Sequence, residues 1–446
     1  MRTLASGQHD PRPPVTHEIR VRGRLGRTMR AAFPGLRAET HGEDTLLTGA
    51  LTDQAALFGV LAQIEALGLE LLEVRRIRGG PANHRPRTNI PKGANTSPSS
   101  TPMTRRTTMT TSLPTTGLGR TGMHLTRVGF GAWAIGGGGW AYAWGNQDDA
   151  ASIAAIRHAV ESGINWIDTA AVYGLGHSEE VVAAALAGLP EADRPYVFTK
   201  GGLVWDPADR SAAPRRVGAP ASLRTEVEAS LRRLRVERID LYQMHWPAED
   251  GTPVEEYWQV FADLKREGKI RAAGLSNHDL GQLEAAEPIA TVDAIQPQFN
   301  LIHRAAAADV LPWAREHEAG VIVYSPMASG LLTGAFTATR AARLEPGDWR
   351  AGHPDFTGPA ASANLALAEG LRPVAERHGV TPAAVAVAWT LAFPGVTGAI
   401  VGARSPGQVD GWLAAAGLEL KEDDLTDIAA AIRATGAGTG PVPLAR

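Results

Sequence analysis

The feature that most constrains this 446-residue chain is an eightfold alternation, from about Leu113 onward, of short apolar runs with longer amphipathic segments. The runs are RVGFGAW (127–133), INWIDTA (164–170), YVFTK (196–200), IDLYQMH (239–245), RAAGLSN (271–277), AIQPQFN (294–300), GVIVYSP (320–326) and GAIVGA (398–403). Each is too short for a helix, and those that end near Asp168, Lys200 and His245 are rich in Ile, Val, Tyr or Phe, so the runs read as strands buried on both faces. Between them, segments such as DDAASIAAIRHAVESG, LRTEVEASLRRLR and VEEYWQVFADLKREG repeat their apolar residues at helical spacing. An α/β chain of eight such units is expected to close into a (β/α)8 TIM barrel, with its chemistry at the carboxyl ends of the strands.

Two sections precede the barrel, which is expected over residues 113–446. Residues 16–78 read as a small α+β, ferredoxin-like module of β-α-β-β-α-β order. EIRVRGR, LRAETHG, DTLLTGAL and LELLEVRRI are its strands, and GRTMRAAF and DQAALFGVLAQIEALG its helices. It holds no cluster of catalytic residue types, and Arg20, Arg22, Arg24, Arg27 and Arg30 read as a solvated face. Residues 79–112 are rich in Pro, Thr, Ser, Asn and Arg and nearly lack large apolar side chains. Such a segment cannot bury enough surface to order itself, so a flexible, disordered linker is expected.

Composition narrows the class. A formal net charge of -3 provides no global basic field for nucleic acid. With no cysteine there is no disulfide scaffold, thiolate metal site or Cys nucleophile, and a reducing, cytoplasmic location is expected. No apolar run reaches membrane-span length, and MRTLASGQHDPRPPVTHEIR has no hydrophobic leader core. No convincing metal cluster stands out.

Four strand ends carry polar residues that belong together chemically: Asp168 closing the run INWIDTA, Tyr173 in the loop AVYGLGHSEE that follows, Lys200 at the end of YVFTK, and His245 at the end of IDLYQMH. Charged groups at the tails of buried strands are costly unless they meet one another. Reducing a carbonyl requires a proton donor beside the developing alkoxide. A tyrosine of ordinary pKa serves poorly at neutral pH, and a neighbouring cation corrects that. Lys200 supplies the cation, Asp168 anchors it, and His245 orients the substrate oxygen. Taken singly, each residue reads as packing, a turn cap, a loop lysine or a satisfied buried histidine; the combination in barrel order favours the catalytic reading.

From Leu113 onward the chain resembles an aldo-keto reductase, in the bacterial branch akin to potassium-channel beta subunits. The resemblance rests on GFGAWAIGG, GINWIDTAAVYGLGHSEEVV, VFTKGG, ASLRRLRVERIDLYQMHWP, EGKIRAAGLSNH, QPQFNLIHR, YSPMASGLLTG and IVGARSPGQVDGW. It implies an NAD(P)H-dependent oxidoreductase that reduces aldehydes or ketones, or oxidises a polyol or sugar in reverse. Tyr173 would be the general acid, with Lys200, Asp168 and His245 completing a tetrad. It also implies a cofactor site of Ser276, Asn277 and Gln298 at the carboxamide and Tyr324 at the nicotinamide ring. Ser325, Pro326, Met327, Gly330 and Leu332 would wrap the pyrophosphate, and Gly402, Arg404 and Gln408 the adenosine phosphate. Arg404 as a 2′-phosphate clamp favours NADPH, with NADH also possible. Two departures weaken that preference: Gly411 and Trp412 stand where relatives commonly carry Glu-Asn, and Ala335 where many carry a lysine.

Aromatic residues near the expected barrel mouth, among them Trp133, Trp144 and Trp246, suit a small-molecule carbonyl or polyol. The loop from Phe336 to Phe356, with Asp348, Trp349 and Arg350, is expected to be a lid, Arg350 meeting an acidic substrate. The alternative reading is a cofactor-binding regulatory or redox-sensing protein of low turnover. The sequence does not specify an oligomeric state.

Overall fold

The computed structural model describes residues 113–442 apart from 342 and 345–346, and ahead of them 15–26, 30, 33, 35–42, 44–51, 60, 64, 69 and 71–77. The chain divides into two compact units near residue 104. In the first unit, β1 (Val15–Val21), β2 (Arg37–His41), β3 (Asp44–Leu51) and β4 (Leu71–Ile77) form one antiparallel sheet in the order β2-β3-β1-β4. That is the strand order of a split β-α-β sandwich. Ile19, Val21 and Leu47 on the sheet pack with Leu25, Phe33 and Ile64. Both expected helices lie largely, and the expected linker wholly, outside the described residues.

In the second unit a hairpin of β5 (Thr115–Gly117) and β6 (His124–Thr126) leads into β7 (Val128–Gly131), β8 (Trp166–Asp168) and β9 (Tyr196–Gly201). A short pair, β10 (Leu203–Val204) and β11 (Arg215–Arg216), follows. Then come β12 (Ile239–Met244), β13 (Ile270–Ser276), β14 (Ala294–Gln296), β15 (Gly320–Tyr324) and β16 (Gly398–Gly402). The eight strands β7, β8, β9 and β12 to β16 close into a parallel barrel. All eight expected runs supply a strand.

Two cores hold it. The helices pack outside the strands on one large apolar cluster. Inside, Trp166, Phe198, Leu241, Ala272, Ile322 and Ile400 meet Leu118, Met123 and Leu125 of the entry hairpin, which plugs the amino-terminal end. Gly129 is a packing requirement of that interior, because a Cβ there would collide with the Trp166 ring. Further along the same strand, Gly131 lines the cavity at the open end.

Register fixes the site. Gly131 pairs with Asp168, Lys200 with Gln243, and Ser276 with Gln296, so each pair lies side by side near the carboxyl ends of its strands.

Candidate active site

Asp168 closes β8, and two residues after that strand the chain enters the tight turn that carries Tyr173. Gly174, Leu175 and Gly176 all have positive φ there, and a Cβ on Gly174 would strike the backbone of Gly136. Only glycine lets the turn approach the loop after β7 this closely, which fixes the position of Tyr173. Lys200 lies on β9 with its side chain wholly removed from solvent. Its Nζ contacts Asp168 Oδ1 and donates to Thr169 O at 2.9 Å. The same ammonium lies 5.2 Å from the centre of the Tyr173 ring. His245 meets that ring edge-on, with centroids 5.6 Å apart. The four strand-end residues therefore converge.

Two further residues complete the cluster. Gln296 Nε2 donates to Asp168 Oδ2 at 2.9 Å and to Gln243 Oε1 at 3.0 Å, and Gln243 Nε2 reaches Asp168 Oδ2 at 3.3 Å. The buried carboxylate thus has a donor on each oxygen, which a buried charge needs. The sequence reading missed both glutamines. Their signal was present: each is an amide inside a run otherwise apolar enough to be a buried strand.

Burial decides the protonation states. Burial, then the nearby Asp168, raises the Tyr173 phenol well above its ordinary value. This departs from the expectation of a phenol acidified by Lys200. Desolvation and the negative charge of Asp168 outweigh any lowering by the Lys200 ammonium. Burial also lowers Lys200, against the opposing pull of Asp168. His245 is held well below the imidazole range by burial, then by Lys200 and Arg216, so it is neutral. Its Nδ1 is buried and has no hydrogen-bond partner among the described residues.

A cavity of about 410 Å³ opens from Asp168 and Tyr173. It passes Tyr324, Ser325, Pro326, Met327 and Gly330 and reaches Gly402, Arg404 and Gln408. Trp133 and Trp144 line it as well. Ser276 and Asn277 stand behind this wall: Ser276 Oγ donates to Gln296 O at 2.9 Å, and Asn277 Oδ1 accepts from Tyr324 Oη at 2.8 Å. Gln298 forms a bridge to Tyr324, while Gln296 faces the cavity. Leu332 is fully buried in the apolar core. Trp246 does not line the cavity; its ring lies 4.4 Å beneath the Arg216 guanidinium.

The far end of the cavity is basic. Arg404 donates Nε to Gln147 Oε1 at 2.6 Å and Nη1 to Trp144 O at 3.2 Å, and a further bond goes to Asn146 O. It is held by neutral acceptors and keeps its charge. Arg340 lines the same wall. Arg350, expected to meet an acidic substrate, is instead buried in a bidentate pair with Asp348, with Nε–Oδ1 at 2.9 Å and Nη2–Oδ2 at 2.5 Å. Within the Phe336–Phe356 segment Trp349 is docked on the mouth: its N donates to Ala143 O, and its ring stacks on Trp133 at 5.2 Å. The residues fit an elongated polyanion with an aromatic head. The long cavity has cations at one end, and Trp412, which lines it, has a buried indole Nε1 with no acceptor among the described residues.

A closed parallel barrel with a neutral phenol, a buried ammonium–carboxylate pair and a neutral imidazole at its mouth suits proton transfer to a carbonyl oxygen, as in an oxidoreductase of carbonyls and alcohols. A family model described as "Aldo/keto reductase family" matches residues 127–433, and the chain belongs to that family. It is an NAD(P)H-dependent oxidoreductase that interconverts carbonyls and alcohols. Similar proteins include "Aldo-keto reductase YhdN" of Bacillus subtilis, 36% identical over 70% of this chain and 92% of that protein. Another is "NADH-specific methylglyoxal reductase" of Escherichia coli, also 36% identical, over 69% and 95%. Among solved structures, the glycerol dehydrogenase AKR11B4 from Gluconobacter oxydans matches with a TM-score of 0.65 and 38% identity, over 75% of this chain and 98% of that one. Residues 16–75 match a family described as a domain of unknown function. No helix among the described residues is long and apolar enough to cross a membrane.

Proposed function

We propose that the chain is an NADPH-dependent reductase of small aldehydes or ketones, running in reverse on short polyols, with Tyr173 as the general acid. The observation that carries this reading is the buried Lys200–Asp168 pair lying against a protonated Tyr173. A bound nicotinamide would supply the hydride. Tyr173 holds the proton that the new alkoxide needs, and its high pKa keeps that proton in place at neutral pH. Lys200 sets the polarity under the phenol and Asp168 holds Lys200; Gln243 and Gln296 fix the carboxylate. His245, neutral, orients the carbonyl oxygen without competing for the proton.

Tyr324, Ser325, Pro326, Met327, Gly330, Gly402, Arg404 and Gln408 would hold the cofactor along the cavity. Ser276, Asn277 and Gln298 would support its nicotinamide end from behind Tyr324 and Gln296. The preference for NADPH rests on charge. Arg340 and Arg404 reach the distal wall, where no unpaired carboxylate stands among the described lining residues. Trp133 and Trp144 form an apolar mouth that suits compact substrates, as in the relatives named for methylglyoxal and glycerol. A chain without cysteine suits the reducing cytoplasm.

Replacing Tyr173 with Phe tests the assignment. Nicotinamide fluorescence should report unchanged NADPH binding, while turnover on a panel of small carbonyls falls by at least about 10³-fold. Turnover near wild type would sink it. Tighter binding of NADH than NADPH in the same titration would refute the cofactor preference alone.

A further inference from the structure

Five large apolar side chains stand exposed among the described residues, and three of them, Leu71, Leu72 and Val74, lie on β4. β4 is the last strand of its sheet. β1 flanks it on one side, and no strand flanks it on the other among the described residues. From Glu73 to Ile77 it pairs without interruption with Thr16–Arg20, so the strand is regular where its outer edge is open. A regular edge with exposed apolar side chains is a template for another strand.

We propose that β4 is a homodimer interface, at which two copies of this chain pair antiparallel and join their four-stranded sheets into one of eight strands. The order of charges selects both the occupant and the register. A two-fold axis through Val74 sets Val74 opposite Val74, and Glu73 opposite Arg75 of the second copy, twice over. Glu73 and Arg75 are two residues apart and share a face, where Arg75 Nε already lies 2.6 Å from Glu73 Oε1. In the pair, four charges of alternating sign would surround the axis. Moving the axis to Glu73 or to Arg75 would bring like charges face to face, which is unfavourable. A strand that is its own complement in charge and apolar centre fits a second copy of itself.

The experiment is sedimentation equilibrium of the full chain across a concentration series. Wild type should dimerise. Glu73→Arg and Arg75→Glu should each weaken the dimer at least about tenfold, because each sets like charges opposite one another. The double variant should regain it, as should an equimolar mixture of the two single variants, which also shows that both are folded. Val74→Lys should be monomeric. A wild-type chain that stays monomeric, or a dimer indifferent to all these changes, overturns the proposal.

Discussion

Lys200 Nζ lies against Asp168 Oδ1 where neither side chain is open to water, at 0% and 3% exposure. A buried pair of this kind is expensive to break from one side, since the partner is left charged and dry. Lys200 links Asp168, Thr169 O and the Tyr173 ring, so its contacts tie the stability of the barrel mouth to the proposed proton donor.

Asp168→Asn is therefore expected to destabilise the protein by about 3 kcal/mol, and to lower kcat by at least about 100-fold. Adding Lys200→Met should recover most of the stability and none of the activity. Urea denaturation and steady-state kinetics on the three proteins check this. A double variant no more stable than Asp168→Asn would contradict the account of an unpaired buried ammonium.

Gln296 tests the support beneath the carboxylate. Gln296→Leu should cost about 1–3 kcal/mol by leaving Asp168 Oδ2 short of its nearer amide donor, although Gln243 remains. Gln296→Glu is expected to be worse, because two buried carboxylates would then share one site and one must take up a proton. Thermal denaturation at pH 6 and pH 8 separates them: only the Glu variant should lose stability as pH rises.

The pH dependence follows from the direction of the Tyr173 shift. With the phenol raised, its proton is present across neutral pH, so reduction should be nearly flat from about pH 6 to 9. Oxidation needs the deprotonated phenol and should climb with pH over the same interval. A reduction profile with a midpoint near neutrality would show that a different group donates the proton.

Acid stability has a separate marker in His278, pushed down to about 4, chiefly by burial. Its Nδ1 donates to Ser276 O at 2.9 Å, so Nε2 accepts from Tyr257 Oη at 2.7 Å, and the ring is neutral. Between about pH 6.5 and 4 the unfolded chain binds this proton and the folded one does not, so stability falls as pH falls, by up to about 3 kcal/mol. His278→Gln should flatten that limb of a stability–pH curve. An unchanged slope would assign the acid loss to other groups, with His245 the next candidate.

Gly129→Ala should destabilise by at least about 2 kcal/mol, since its methyl group would enter the volume of the Trp166 ring. Trp166→Phe in the same chain should relieve part of that cost. Calorimetry of the single and double variants gives the coupling between them.

The sequence by itself determined the barrel, because a short continuous apolar run bounded by turns and a helical apolar stripe are local properties, repeated here eight times. It also determined that Asp168, Tyr173, Lys200 and His245 stand at strand ends, since each terminates or follows such a run. The tertiary structure decided what those groups experience. That Tyr173 is raised, that Gln243 and Gln296 complete the carboxylate's shell, and that Arg350 is paired with Asp348 all depend on burial and on contacts between elements far apart in the chain. The same holds for Trp246 lying under Arg216, Leu332 joining the core, and Gly129 making room for Trp166. Spacing along a chain reports which face of an element a residue occupies, whereas desolvation and hydrogen-bond partners are set only when the barrel closes.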